Sequence, residues 1–393
     1  MHPALARDAV RALAASRIRE VANAAMGRSD TAAFWFGEPD RPTPDFIIEA
    51  ARASLAAGDT FYLPNLGLPA LRTELAAYAG RLHAPGGQPL PSQRIAVTSS
   101  GVSGLMLAQQ ALLSPGDRVV AVEPLWPNLT AMARVLGAEV VAVPLDIEPT
   151  QGRWKLDLDR LLAALTPDTR LLLINSPGNP TGWVLPASDI ARIRSHCERL
   201  GIWILSDEAY ERLIFDGSAC APSFLDGADP ASRLVVSNTF SKTWQMTGWR
   251  LGWLVLPETL TPDIEKLIEF NTSCAPAFVQ HAGVVAVREG EAVALAFAAD
   301  VRRGAATLVR ALSSLPQVQA VVPDGAMYVL LRVDGHPDSL ALAKALVQQV
   351  GLGLAPGIAF GPSAEGWLRW CVARPDRVLQ DGVDRLARFL NPR

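Results

Sequence analysis

The feature that most constrains this chain is a rhythm: between about residue 90 and residue 260, short β-branched runs alternate with longer amphipathic segments. That spacing predicts βα units wrapped around a mostly parallel sheet. The runs are Arg94–Thr98, Arg118–Val122, Glu139–Val143, Leu171–Ile174, Gly201–Leu205 and Arg233–Ser237. Several are apolar on both faces, which is what a strand needs when helices cover each side. After about residue 285 the pattern changes. A long helical stretch runs through Arg303 and Leu312, and Met327–Leu331 and Gly366–Val372 then read as strands flanking another helix. The expected architecture is α/β, a mostly parallel sheet sandwiched by helices over residues 46–285, with a smaller α+β domain over 286–393. Residues 1–45 form an arm that joins the smaller part, and Pro42 and Pro44 mark the crossing. A chain of 393 residues exceeds what one core usually serves, so two cores are expected.

Charge and cysteine usage narrow the partners. A net charge of −3 supplies no clustered cations for neutralising phosphates, so no nucleic-acid partner is expected. Cys197, Cys220, Cys274 and Cys371 form no CxxC pair, and the adjacent His196-Cys197 would point apart on a helix; neither a metal site nor a disulfide framework is expected. That usage fits a reducing, cytoplasmic compartment. Arg7, Asp8, Arg11, Arg17, Arg19 and Glu20 interrupt any signal-peptide core, and Arg288, Glu289 and Glu291 break the most apolar later stretch, so no membrane association is expected. Without a secretory route, the sequons at Asn128 and Asn271 carry no weight. Gly351-Leu-Gly353 with Gly357 has the wrong spacing for a dinucleotide fingerprint.

In an open parallel sheet, ligands gather beyond the carboxyl ends of the strands, so polar residues just after each run are the candidates. Ser99-Ser-Gly-Val102 follows the first run and opens a helix. Glu123-Pro-Leu-Trp126 follows the second, Asn175 to Gly182 the fourth, Asp207-Glu-Ala-Tyr210 the fifth and Thr239-Phe-Ser-Lys242 the sixth. At the end of an apolar strand Asp207 would be a buried carboxylate, which needs a cationic partner to stay ionised. Lys242 alone reads as a solvated lysine, but it lies in a Ser/Thr-rich turn eight residues before Arg250.

These strings, with Phe36-Gly-Glu-Pro-Asp40, Tyr62, Gly67, Leu71-Arg72, Asn179-Pro-Thr-Gly182, Pro356–Gly361 and Arg369, resemble the class I/II, fold-type-I aminotransferases over nearly the full length. The resemblance implies a pyridoxal 5′-phosphate (PLP) cofactor held as a Schiff base on Lys242, which then shuttles a proton during transfer of an amino group between an amino acid and a 2-oxo acid. It implies that Asp207 keeps the pyridine nitrogen protonated, that Tyr210 and Asn179 bond the ring oxygen, and that Trp126 stacks on the ring. The phosphate falls to Ser100, Gly101 and Val102 at the helix start, with Thr239, Ser241 and Arg250. Arg369 grips the substrate carboxylate, with Gly37 and Asn179 beside it, and Arg374 is a rival for that role. Tyr62 reaches the phosphate of the other subunit, which implies a homodimer. Met327-Tyr328 departs from the Phe-Tyr pair usual in the family.

Two other readings share these residues. A carbon–sulfur β-lyase on the same scaffold would release ammonia and pyruvate without an acceptor. A non-enzymatic ligand-sensing module would need an added DNA-binding segment, for which the arm before Gly37 is too short and insufficiently basic. Phe34, Trp35, Phe36, Trp126 and Met246 near the motifs point to a neutral or aromatic substrate side chain.

Overall fold

The computed structural model describes residues 5–391 except Pro149 and Gln151. Seven strands form the larger sheet: β1 (Ile95–Thr98), β2 (Arg118–Glu123), β3 (Glu139–Pro144), β4 (Thr169–Asn175), β5 (Trp203–Asp207), β6 (Leu234–Thr239) and β7 (Gly252–Val255). Their order across the sheet is β1-β7-β6-β5-β4-β2-β3. Six of them match the β-branched runs, and those six keep one direction. The seventh, β7, was not foreseen and runs antiparallel to both β1 and β6.

The all-apolar strands behave as their composition demands. Along β2 and β4, Val120, Val122, Leu172 and Ile174 enter one core cluster while Val119, Ala121, Leu171 and Leu173 enter another on the opposite face. Period-two alternation thus feeds two cores at once, each fully buried aliphatic side chain contributing about 1.5–3 kcal/mol. The strands run one or two residues further than the apolar runs, so that Asn175, Asp207 and Thr239 end β4, β5 and β6. Asn175 lies opposite Asp207 in the register, and polar residues therefore line up on one edge of an apolar sheet.

The second sheet is small and antiparallel: β8 (Val318–Ala320), β9 (Tyr328–Val333), β10 (Ala355–Pro356) and β11 (Trp367–Cys371), in the order β8-β9-β11-β10. Helices Glu291–Leu312, Ser339–Val350 and Asp376–Leu390 share its core, in which Phe34 stacks on Trp370 at 4.9 Å. The N-terminal helix Arg17–Ala24 packs against Ser339–Val350 and β10, and Ala32-Ala33 pairs in parallel with Leu352-Gly353. Among the described residues no helix is long and apolar enough to cross a membrane.

Candidate active site

A cavity of about 270 Å³ opens beyond the ends of β4, β5 and β6, walled on one side by Tyr328 and Arg369 of the small sheet. Asp207 ends β5 with 6% of its surface exposed. Its carboxylate accepts one backbone bond, from the Ala209 N–H at 3.3 Å. Burial pushes its pKa up to about 7, against the opposing pull of that amide and of Lys242. Such a carboxylate is short of a cation.

Lys242 sits in the helical turn Phe240–Thr243, whose start is capped by Thr239 Oγ1 accepting from the Ser241 N–H at 3.2 Å. Its ammonium donates to the Gly37 carbonyl at 2.5 Å and lies 5.8 Å from the Tyr210 ring centroid. Burial, helped by the charges of Arg369 and Arg250, lowers its pKa to about 8. Gly37 must be glycine, because a Cβ there would lie 1.8 Å from the Tyr328 hydroxyl. That hydroxyl meets the Tyr210 hydroxyl at 2.6 Å, and burial raises both phenol pKa values, Tyr328 to about 12.

Arg369 is buried between two aromatic faces, its guanidinium carbon 4.3 Å from the Tyr328 centroid and 4.7 Å from that of Phe360. It donates to Asn179 Oδ1 at 2.7 Å and to the Trp35 carbonyl, while its Nε has no partner. Arg374 is half-buried, donates to the Glu38 carbonyl at 2.7 Å and is not on the cavity wall.

At the other end of the cavity, Gly101 and Val102 open the helix Gly101–Leu112, presenting free backbone N–H groups. Thr239, Ser241 and Arg250 share that wall. Gly252 lets β7 approach this helix start: a Cβ there would lie 2.3 Å from the Gly101 nitrogen. Trp126 also faces the cavity.

Ser100 and Tyr62, both given cofactor roles from the sequence, are not on the wall either. Ser100 spends its hydroxyl as the helix cap, accepting from the Ser103 N–H at 3.1 Å, and holds φ at 118°, a conformation that strains a non-glycine residue by about 1–3 kcal/mol. Tyr62 is 87% exposed on another surface. Of the aromatic and apolar residues that pointed to the substrate, Phe34 and Met246 lie wholly in the core, while Trp35 and Phe36 line the cavity. Asn175, which opens the candidate string after the fourth run, is on the wall, whereas sequence reading missed Asn238, Ile18 and Leu105 there and left Tyr328 without a role. Strand-end position could have signalled Asn238; nothing local marks Ile18 or Leu105.

Behind the Asp207–Arg212 turn lies a second polar cluster that no motif announced. Glu208 accepts from Ser206 Oγ at 2.8 Å, Ser223 Oγ at 2.6 Å and the Phe224 N–H at 3.3 Å. Glu211 accepts from Tyr78 Oη at 2.6 Å and meets His83 Nε2 at 3.3 Å, and His83 Nδ1 meets Asp226 at 3.0 Å. Burial alone would lower the His83 pKa, but Asp226, Glu211 and Glu208 together raise it to about 10. His83, Glu208 and Glu211 are close enough to surround an ion, yet each already has hydrogen-bond partners within the protein.

Comparison with known proteins fits this geometry. The family model for aminotransferase class I and II matches residues 34–386. An arginine–pyruvate transaminase of Pseudomonas aeruginosa is 34% identical over 89% of this chain and 88% of its own length. An aspartate aminotransferase of Pyrococcus horikoshii is 31% identical over 95% and 94%. The solved structure of Thermus thermophilus aspartate aminotransferase with maleate superposes with a TM-score of 0.89, at 31% identity, covering 98% of this chain and all of that one.

The fold and cavity are those of a fold-type-I, PLP-dependent enzyme. The chain belongs to the class I and II aminotransferases and transfers an amino group between an amino acid and a 2-oxo acid. The residues present suit PLP: a buried carboxylate with no ion pair among the described residues shares the cavity with a half-buried lysine, and a helix start with two hydroxyls and a guanidinium offers a place for a phosphate.

Proposed function

We propose that Lys242 is the residue that anchors PLP and moves the proton between the substrate Cα and the cofactor. What carries the assignment is that the half-buried Lys242 and the buried Asp207 and Arg369 converge on one cavity, where the Asp207 carboxylate accepts a single hydrogen bond and Arg369 Nε has none. When bound, PLP supplies an aldehyde that combines with amines and a ring that draws the electron pair from Cα. The Asp207 carboxylate holds a proton on the ring nitrogen, and that proton in turn keeps the carboxylate charged despite its burial. Tyr210 and Asn179 orient the ring oxygen, and Trp126 lies against the ring. Gly101, Val102, Thr239, Ser241 and Arg250 hold the phosphate, and the Ser100 hydroxyl keeps their helix start in shape.

Arg369 fixes the substrate carboxylate with its planar fork, oriented by Asn179 and by the rings of Tyr328 and Phe360. The Gly37 carbonyl holds the Lys242 amine in place. A lysine lowered to about 8 gives up its proton more readily than an ordinary lysine, and its neutral amine can take one from Cα. Lys242→Ala is expected to lower amino transfer by about 10³–10⁴-fold, and borohydride reduction of the wild-type holoenzyme to fix the pyridoxyl label on Lys242. A label on another residue, or near-wild-type transfer by the variant, would reject the assignment.

The same reading makes the enzyme a cytoplasmic homodimer, with an arm over 1–45, a cofactor-binding domain over 46–285 and a smaller domain over 286–393. Phe61 and Tyr62, 82% and 87% exposed beside Phe278, form an aromatic patch that calls for a cover, and a second copy supplies one. Tyr62 then reaches the phosphate of the partner's site. Mixing inactive Lys242→Ala chains with impaired Tyr62→Ala chains should restore about a quarter of wild-type activity, because half of the dimers formed at random carry one intact site. No recovery after subunit exchange would remove Tyr62 from the shared site.

A further inference from the structure

We propose that the substrate side chain taken by this site is uncharged and apolar, of the aromatic or large aliphatic class, an inference that rests on the aminotransferase reading of the cavity. Charge on the wall decides it. Among the described residues lining the cavity, the formal charges are Lys242, Asp207, Arg250 and Arg369, and all four are committed to cofactor or α-carboxylate. What remains of the wall is Ile18, Trp35, Phe36, Leu105 and Ala209, together with Gly37, two uncharged amides and a phenol. Asn175 donates to the Asp207 carbonyl and accepts from the Asn179 N–H, Asn238 accepts from the Thr239 N–H, and the Tyr328 hydroxyl is joined to that of Tyr210. A side-chain carboxylate or guanidinium entering this space would lose its water and meet no counterion. An apolar side chain loses only its contact with water.

The aromatic wall has a defined shape. Trp35 and Phe36 meet edge to face with centroids 6.2 Å apart, and Ile18 is brought to them by the N-terminal helix Arg17–Ala24. Arg19 of that helix holds its guanidinium 5.6 Å from the Phe36 centroid, but it is exposed and does not line the cavity. The patch that would reach the partner's site in a dimer carries Phe61, Tyr62 and Phe278 and neither lysine nor arginine. Its acid, Asp59, accepts from Ser54 Oγ at 2.9 Å and faces His281 at 3.6 Å.

The test uses the PLP-loaded enzyme and two unreactive acids, 3-phenylpropanoate and succinate, titrated by calorimetry at neutral pH. The phenyl acid is expected to bind at least about 30-fold more tightly, and Ile18→Arg to narrow that gap by about tenfold. Succinate binding as tightly in the wild type, or losing its affinity in Arg19→Ala, would overturn the proposal. In a donor panel with one 2-oxo acceptor, phenylalanine and leucine should exceed aspartate and arginine in kcat/KM by at least about 100-fold. Aspartate or arginine as best donor would defeat the specificity while leaving the aminotransferase reading intact. Failure of every donor would strike at that reading instead, and the two acids would still decide the side-chain class.

Discussion

The two sides of the turn from Asp207 to Arg212 use the same kinds of residue to opposite ends. On the cavity side, Asp207 accepts a single backbone bond and Arg369 keeps an unpartnered Nε. On the far side, Glu208 and Glu211 are saturated by two serine hydroxyls, a tyrosine, a backbone N–H and the ring of His83. Unfulfilled buried charge is costly, so a chain keeps it where a ligand completes it; fulfilled charge behind it fixes the backbone. Alternation along one short turn lets Asp207 and Tyr210 face the chemistry while Glu208 and Glu211 grip the scaffold.

Substitutions on the two sides should therefore separate activity from stability. Asp207→Asn removes the carboxylate and leaves a shape-matched amide. It is expected to lower kcat/KM by about 10³-fold, while the cofactor-free protein unfolds at the same or a higher urea midpoint. A lowered midpoint together with retained activity would erase the distinction between the two sides. His83→Gln does the reverse. It leaves the buried Glu211 without its cation, and breaking a buried ion pair in this way costs about 3–5 kcal/mol. Urea unfolding should register that loss, with KM for the amino donor little changed.

How legible these two sides were differs as much as their chemistry. Lys242, Asp207 and Thr239 could be found because each follows an apolar strand in the chain, and a parallel sheet brings all such ends to one edge. His83 gave no such signal: it meets Glu211 from 128 residues away, at the end of a helix where no motif marks it. Strand β7 was hidden for a related reason, since Gly252–Val255 is only four residues long and returns antiparallel after a short irregular stretch. Apolar character alone could not tell Phe34, buried against Trp370, from Phe36, which faces the cavity. Register and tertiary packing decide such cases, and neither is written in composition.

The two sides also part company in their response to pH, with the smallest effect per step. Burial lifts Asp207 from an ordinary carboxylate value to about 7, so the folded cofactor-free protein holds a proton that the unfolded chain releases near pH 4. Stability from that group is full below about pH 4 and is lost as pH rises through 7. Burial raises Glu208 to about 7 in the same window. His83, raised to about 10, is charged in the fold where the unfolded imidazole is neutral, so its contribution is full below about pH 6.5 and is lost as pH rises through 10. The urea stability of the cofactor-free protein should then fall in two stages, each at no more than about 1.4 kcal/mol per pH unit per group. Asp207→Asn should flatten about half of the lower stage, leaving the share of Glu208, and His83→Gln should abolish the upper one. Loading PLP should flatten the Asp207 share as well, because a ring-nitrogen cation beside Asp207 lowers its pKa toward the unfolded value. An upper stage that survives His83→Gln would mean that the far-side cluster does not hold a charged imidazole.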